Sequence, residues 1–420
     1  MPSQKTPPSL PEPLQLLPLP HMLSQMRERR RTLFVTSTAL FFSVLIWFNY
    51  SAVLPFVVDE WGLTGTEAGV IFGAFQAGYL VAILPAGWLS DRYSPRWIIA
   101  VGATGTAVPS LAFAAIADGY LIGVVLRFFS GLFVAGVYVP GMRFLTDWFP
   151  PAVRGRALGL YIGTFSVGSG LTFVFSTVTA SALDWRVAIG VTSVGALFVA
   201  PLVLGLTRDP PDRDSKPAGF SLSVLANREY RWSVSIYAWH NWELFGVRNW
   251  LLAFLVAAPA FAATGSAVLP GVIVGAMIAM SGVGNVVGGY SSDRVGRTRT
   301  IAVALAASAL VSASMGFLGD LPVAILAGVV LLYGVVLAMD SAPTSTLVTE
   351  VVEDEVVGTA LAIQSLVGFS TTVVSPVVFG LALDRAGYAV AFSTMAAGAV
   401  LGLLSVGGLV RLRRKRDASA

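Results

Sequence analysis

The chain of 420 residues is 55% hydrophobic and 12% charged, with a net charge of +4 and a mean hydropathy of +0.76. A soluble domain carries about 25% charged residues, so this composition excludes a water-soluble fold and calls for lipid as solvent. Cysteine is absent, and His21 and His240 are the only histidines. That excludes a disulfide framework, a thiolate metal site, a cysteine nucleophile and a histidine metal cluster, and no cofactor is expected.

The apolar runs are long and do not alternate, which points to helices rather than a closed barrel. In chain order, residues 1–32 read as a disordered cytoplasmic tail that closes on Arg27, Arg29, Arg30 and Arg31. The apolar run behind these arginines is too long for a cleaved signal peptide, and Met22 or Met26 is a candidate start residue. Spans one to six are expected near 33–57, 67–89, 97–117, 120–145, 156–180 and 187–207. Residues 208–231 are charged, hold Pro210, Pro211 and Pro217, and read as a cytoplasmic linker, with a short interfacial helix expected from Phe220 to Trp232. Spans seven to twelve follow near 232–257, 267–290, 300–318, 322–342, 357–381 and 388–410, and 411–420 form a basic cytoplasmic tail.

Charge placement supports this map. Of 27 Lys and Arg, only Arg186 and Arg385 fall on the outer side, and only Arg127 and Arg248 fall deep within spans, with Arg143 and Arg156 at the inner span ends. The positive-inside rule then puts both termini in the cytoplasm of a plasma (inner) membrane. The +4 charge follows from that placement and gives no sign of a nucleic-acid partner.

A repeat divides the chain. Gly87-Trp-Leu-Ser-Asp91-Arg92 is matched by Gly289-Tyr-Ser-Ser-Asp293-Arg294, an offset of 293 − 91 = 202 residues. Asp118 matches Asp320 at the same offset, Asp147 matches Glu350 at 203, and Leu183-Asp184 matches Leu383-Asp384 at 200. The fold class is therefore an all-α membrane protein of twelve transmembrane helices in two pseudo-symmetric six-helix bundles, 33–207 and 232–410.

The two Gly-x-x-x-Asp-Arg loops resemble the signature of the major facilitator superfamily, repeated between helices two and three and between eight and nine. Arg127-Phe-Phe-Ser-Gly131 is similar to the arginine–glycine motif of its fourth helix, and Asp147 to Gly159 to its loop between helices four and five. The Pro-x-x-Gly-Gly element of many drug antiporters is missing from span five, and no arginine matches Arg127 in the second half. The resemblance implies alternating access, a central substrate site and a monomer. It also implies a cytoplasmic latch in which Asp91 caps the start of helix eleven and, by pseudo-symmetry, Asp293 caps the start of helix five.

From the residues themselves, Gly87 and Gly289 are expected to permit close helix approach. Arg92 is expected to pair with Asp147 and Arg294 with Glu350; topology through positive charge alone is the plainer alternative. Glu353, Asp354 and Glu355 crowd one of the two loops, so the latches are unequal. Asp340 reads as part of the inner gate.

Charged groups in mid-membrane need a reason. Span seven carries His240-Asn-Trp-Glu243 and Arg248. Glu243 reads as a proton carrier or as half of a structural pair with an Arg or His. Arg127, Arg248 and His240 favour an anionic solute, with packing as the alternative for Arg127. Asn49, Tyr50, Gln76, Tyr79 and Gln364 offer polar edges to a cavity, although each alone is more often a helix–helix hydrogen bond. The glycines Gly159, Gly163, Gly168 and Gly170 read as close-packing positions, and no ATP-binding loop occurs.

The expected function is a non-enzymatic secondary transporter in the lipid bilayer. It moves a small polar, anionic solute and is coupled to protons. Efflux of a small organic compound and a non-transporting membrane sensor are the alternatives.

Overall fold

The computed structural model describes residues 19–210, 222–266, 268–353 and 356–419. The first half holds α1 (Leu19–Trp61), α2 (Gly65–Arg92), α3 (Pro95–Ile116), α4 (Tyr120–Trp148), α5 (Pro151–Ala182), α6 (Trp185–Leu197) and α7 (Val199–Leu206). A 3-10 turn, Leu222–Ala226, leads into the second half: α8 (Arg228–Ala257), α9 (Pro259–Ala262), α10 (Val268–Val295), α11 (Arg297–Met315), α12 (Val323–Ala338), α13 (Ser341–Glu350) and α14 (Val357–Ser419).

Ten helical stretches are long and apolar enough to cross a membrane, with α6 and α7 forming one and α12 and α13 another. Gly387 divides α14 into two arms, because its φ of 76° is one that residues with a Cβ rarely adopt. That makes eleven. The twelfth is α8, whose 30 residues include buried His240, Asn241, Glu243, Arg248 and Asn249 and are too polar to stand out by hydropathy. No strand occurs among the described residues.

The helix starts are written locally. Thr64 and Glu67 form a capping box at α2, Asp184 caps α6, Asn227 caps α8, and Pro95 and Pro151 open α3 and α5. α1 begins at Leu19, so residues 19–32 of the expected disordered tail are helical. Good helix formers and a Glu28–Arg31 pair one turn apart explain this. The expected interfacial helix is also corrected: the 3-10 turn ends at Ala226 and Trp232 already belongs to α8, which Asn227 starts. Residues 1–18, Pro211, Pro217, Phe220, Asp354 and Glu355 lie outside the described residues.

The halves meet where α2 packs on α14, α5 on α10 and α1 on α8. An even number of spans puts both chain ends on one side, the terminal side. Contact between halves concentrates away from it. A Cβ at Gly69 would stand 2.4 Å from Pro376 O, one at Gly73 2.6 Å from Val373 O, and one at Gly170 2.8 Å from Gly275 O. Helices approach this closely only where side chains are missing. Toward the terminal side the same stripes lie bare. Gly163 and Gly159 continue the Gly170 stripe of α5, Gly282 and Gly289 continue the Gly275 stripe of α10, and all four have open space at the Cβ position.

Gly87 and Gly289 therefore make no close approach here, contrary to expectation. Gly288 does so instead: its Cβ position lies 1.8 Å from Met339 O, at the break between α12 and α13. In α5, the expected packing role holds for Gly170 and Gly168 but not for Gly159 and Gly163.

Candidate central site

Arg127 projects from α4 into the first half, where both terminal nitrogens are engaged and Nε is left without a partner. Its Nη1 donates to Ile46 O and Asn49 Oδ1, both at 3.1 Å, and its Nη2 to Trp47 O at 3.2 Å. The guanidinium lies 4.3 Å from the Phe75 ring centroid and 5.7 Å from that of Tyr50. Asn49 spends its amide on Ser110, Thr192 and Ser193 at 3.3–3.4 Å. One polar knot thus ties α1 to α3, α4 and α6. Tyr50 is enclosed between Phe72 and Phe113, with its hydroxyl unpartnered. Arg127, Asn49 and Tyr50, expected to meet solute, sit in the interior of the first half.

The second half holds the other buried charges. Glu243, 1% exposed, accepts through Oε1 from Ser308 at 2.7 Å, Ser312 at 2.6 Å and Tyr333 at 3.4 Å. One turn earlier on α8, His240 Nδ1 lies 2.8 Å from Asp340 Oδ1, and its Nε2 lies 2.9 Å from Ser341 Oγ. Asp340 is 2% exposed and its Oδ2 has no partner. It stands at the break between α12 and α13, inside the second half, where the residue read as part of the inner gate is a partner of His240. Two acids and one histidine thus share a membrane-buried space. With both acids ionised and the histidine protonated, the group carries a charge of −1. One further proton removes it, and buried net charge is costly.

Arg248 is different. It is 8% exposed, its Nε has no partner, and no hydrogen bond or ion pair to it occurs among the described residues. The Glu243–Arg pair, one of the alternatives read from the sequence, is not formed with Arg248; α11 and α12 supply that carboxylate's donors. Arg248 lies three residues beyond Phe245, on the same face of α8. That face looks onto the other half, because Phe245 packs at 6.5 Å against Phe48 of α1 and at 5.7 Å against Phe369 of α14. Next to Arg248, Asn249 Oδ1 accepts from Ser51 Oγ across the seam at 2.9 Å.

Gln76 donates across the same seam to Thr372 Oγ1 at 3.0 Å and keeps an unpartnered amide oxygen. Tyr79 packs between Trp47, at 4.8 Å, and Phe369, at 5.0 Å. Gln364 is buried with its amide oxygen unpartnered. Arg248, Gln76 and Tyr79 are therefore at or beside the seam, whereas Glu243, His240 and Asp340 form a separate cluster behind it.

At the Asp-Arg turns the partners differ from expectation. Arg143 takes Asp91 at 3.5 Å and Asp147 at 3.4 Å, and Arg297 takes Asp293 together with Glu350 at 3.2 Å. Arg92 and Arg294 lie over their own helices' aromatic rings, Trp88 at 4.2 Å and Tyr290 at 4.0 Å. Among the described residues, every ion pair at these turns stays within one half. Ser308, Ser312, Tyr333, Ser341 and Arg297 escaped the sequence reading, as did the ion-pairing role of Arg143. A signal existed only for the arginines: Arg143 is four residues from Asp147 on α4, and Arg297 is four residues from Asp293 across the Gly296 turn.

The sequence profile of the Major Facilitator Superfamily matches residues 36–270 and 244–420. Among curated proteins, the probable sulfoacetate transporter SauU of Cupriavidus necator is 28% identical over 93% of this chain and 95% of its own length. The D-galactonate transporter of Escherichia coli O6:H1 is 31% identical over about a third of each chain (33% and 33%). Among solved structures, a bacterial homologue of the human lysosomal transporter Spinster, inward-facing and occupied, superposes with a TM-score of 0.74 at 16% identity, covering 92% of this chain and 97% of that one. Two six-span halves joined at a seam, with the Asp-Arg turn repeated in each, fit these matches, and the chain belongs to the Major Facilitator Superfamily.

Proposed function

We propose that this protein is a proton-coupled secondary transporter for a small organic anion, working by alternating access as a monomer in the inner membrane with both termini cytoplasmic. The observation that carries the reading is Arg248: a buried, unpartnered cation on the face of α8 that looks across the seam. An unpaired charge in such a place costs several kcal/mol unless a ligand supplies the counter-charge. The names of the relatives agree, since sulfoacetate and D-galactonate are both small organic anions.

The conformation fits one stage of the cycle. The halves are zipped on the side away from the termini and parted on the terminal side, which is the inward-open arrangement. The Asp-Arg turns, whose ion pairs among the described residues stay within one half, fit the same state. Closing the inner side brings the bare stripes of α5 and α10 together.

Proton coupling is assigned to Glu243 with His240 and Asp340. Their shared charge changes with one proton, and both hydrogen-bond sets join α8 to the helices behind it. A proton taken up there changes how α8 is held, and α8 carries Arg248.

The test is counterflow in proteoliposomes loaded with sulfoacetate, D-galactonate or a hexuronate. Exchange of at least one labelled anion is expected, and Arg248→Ala should abolish it while leaving the melting temperature close to that of the parent. Normal exchange by Arg248→Ala contradicts the anchor. Exchange of none of the anions favours efflux of another organic compound or a sensor.

A further inference from the structure

The Asp-Arg turns account for one side of the membrane. On the other side, a carboxylate from one half caps a helix of the other. Asp384 lies in the last turn of the first arm of α14, three residues before Gly387. A negative charge there opposes the dipole of its own helix. It faces the start of α2 instead. Oδ1 accepts from Gly65 N at 2.6 Å, while Oδ2 accepts from Thr66 N at 2.8 Å and Thr66 Oγ1 at 2.6 Å.

The fit is complementary. The first N–H groups of a helix have no partner within it. At α2 the capping box uses Thr64 Oγ1 for Glu67 N, at 3.2 Å, and Glu67 Oε2 for Thr64 N, at 2.9 Å. Gly65 N and Thr66 N are left over, and these are the two that Asp384 takes. The backbones beneath are in contact: a Cβ at Gly380 would stand 2.0 Å from Gly65 O, and one at Gly65 2.8 Å from Gly380 O. Asp184, the repeat counterpart of Asp384, caps its own following helix at Arg186 N (2.6 Å), so the device is one-sided.

We infer that Asp384 is the outer latch of the transport cycle, holding the outer side shut by capping α2 across the seam and releasing it when the halves swing. This rests on the alternating-access reading. It makes α2 and α14 reciprocal: α14 caps α2 at the outer end, and the family resemblance has Asp91 of α2 cap α14 at the inner end when that side closes.

The natural absence of cysteine makes the test direct. Ser51→Cys reports the outer seam, where Ser51 is 1% exposed, and Gly163→Cys reports the bare inner stripe. Each is reacted with a membrane-impermeant maleimide in oriented vesicles, with and without Asp384→Asn. The latch predicts that Asp384→Asn raises Ser51→Cys labelling at least fivefold and lowers Gly163→Cys labelling by a similar factor. Thr66→Val, which removes one of the three contacts, should give the same pair of changes at smaller size and serves if the first variant does not fold. A rise at the outer seam with no fall at the inner stripe makes Asp384 a local seal and overturns the proposal. If neither changes in the variants, but solute and protons shift both in the parent, alternating access stands and the latch is overturned. If nothing shifts either site, alternating access itself fails.

Discussion

Arg127 and Arg248 share a side chain and a membrane interior, and differ in what surrounds them. Arg127 has two backbone carbonyls, an amide and two aromatic faces. Arg248 has none of these. Arg127→Met is expected to cost about 3 kcal/mol of stability, since hydrogen bonds to charged groups contribute about 1.5–3 kcal/mol each and their effects do not simply add; the surviving protein should keep its KM. Arg248→Lys should do the reverse, leaving thermal stability nearly unchanged and raising KM about ten- to hundredfold, the equivalent of about 1.5–3 kcal/mol. Melting curves and initial rates of counterflow separate the two. Sequence pattern marked both arginines as membrane-buried but did not sort them. The acceptors of Arg127 are the carbonyls of Ile46 and Trp47, which every residue carries and no motif reveals. Glu243 was legible as a mid-membrane acid for the same reason that its partners were not: Ser308, Ser312 and Tyr333 are common in helices and mean little until they converge.

At the scale of the element, the glycine stripes of α5 and α10 carry the most information. The α5 spacing was plain in the sequence and the α10 stripe was not read, and the reading of close packing at all four α5 glycines was too simple. Gly170 and Gly275 touch, while Gly159, Gly163, Gly282 and Gly289 face open space. Under the proposed alternating access, one helix pair serves two conformations, and this structure uses half of its contact surface. This predicts opposite outcomes for the same substitution one heptad apart. Gly163→Leu should fold normally and bind solute from the inner side yet lose transport at least tenfold, because the inner side can no longer close. Gly170→Leu should lose thermal stability instead, because its side chain would meet Gly275 in the present state. Equal behaviour of the two variants in binding and melting assays would deny the two-state use of the stripe. The α8 helix makes a related point. It fails as a membrane span by hydropathy because its interior is polar, and that polarity is where the charged cluster sits.

For the whole molecule, the duplication read from two Asp-Arg turns predicted the twelve spans and the division into halves, and the fold has both. The halves are not copies in their chemistry. The first holds its buried arginine in a hydrogen-bonded knot; the second keeps an acid–histidine cluster and a bare arginine on α8. Under the proposed coupling, protonation in the second half changes how it meets the first. Glu243→Gln should then exchange labelled solute across the membrane but fail to accumulate it under an imposed pH gradient, and pH-driven accumulation equal to that of the parent would remove Glu243 from the coupling. Alternating access itself is tested most directly by spin labels on Gly159→Cys and Gly282→Cys, one on each bare stripe, with distances measured by pulsed electron resonance in lipid nanodiscs. With no solute a single long distance is predicted, and with anion and low pH a second, shorter population as the inner side closes. One unchanged distance under every condition would contradict it.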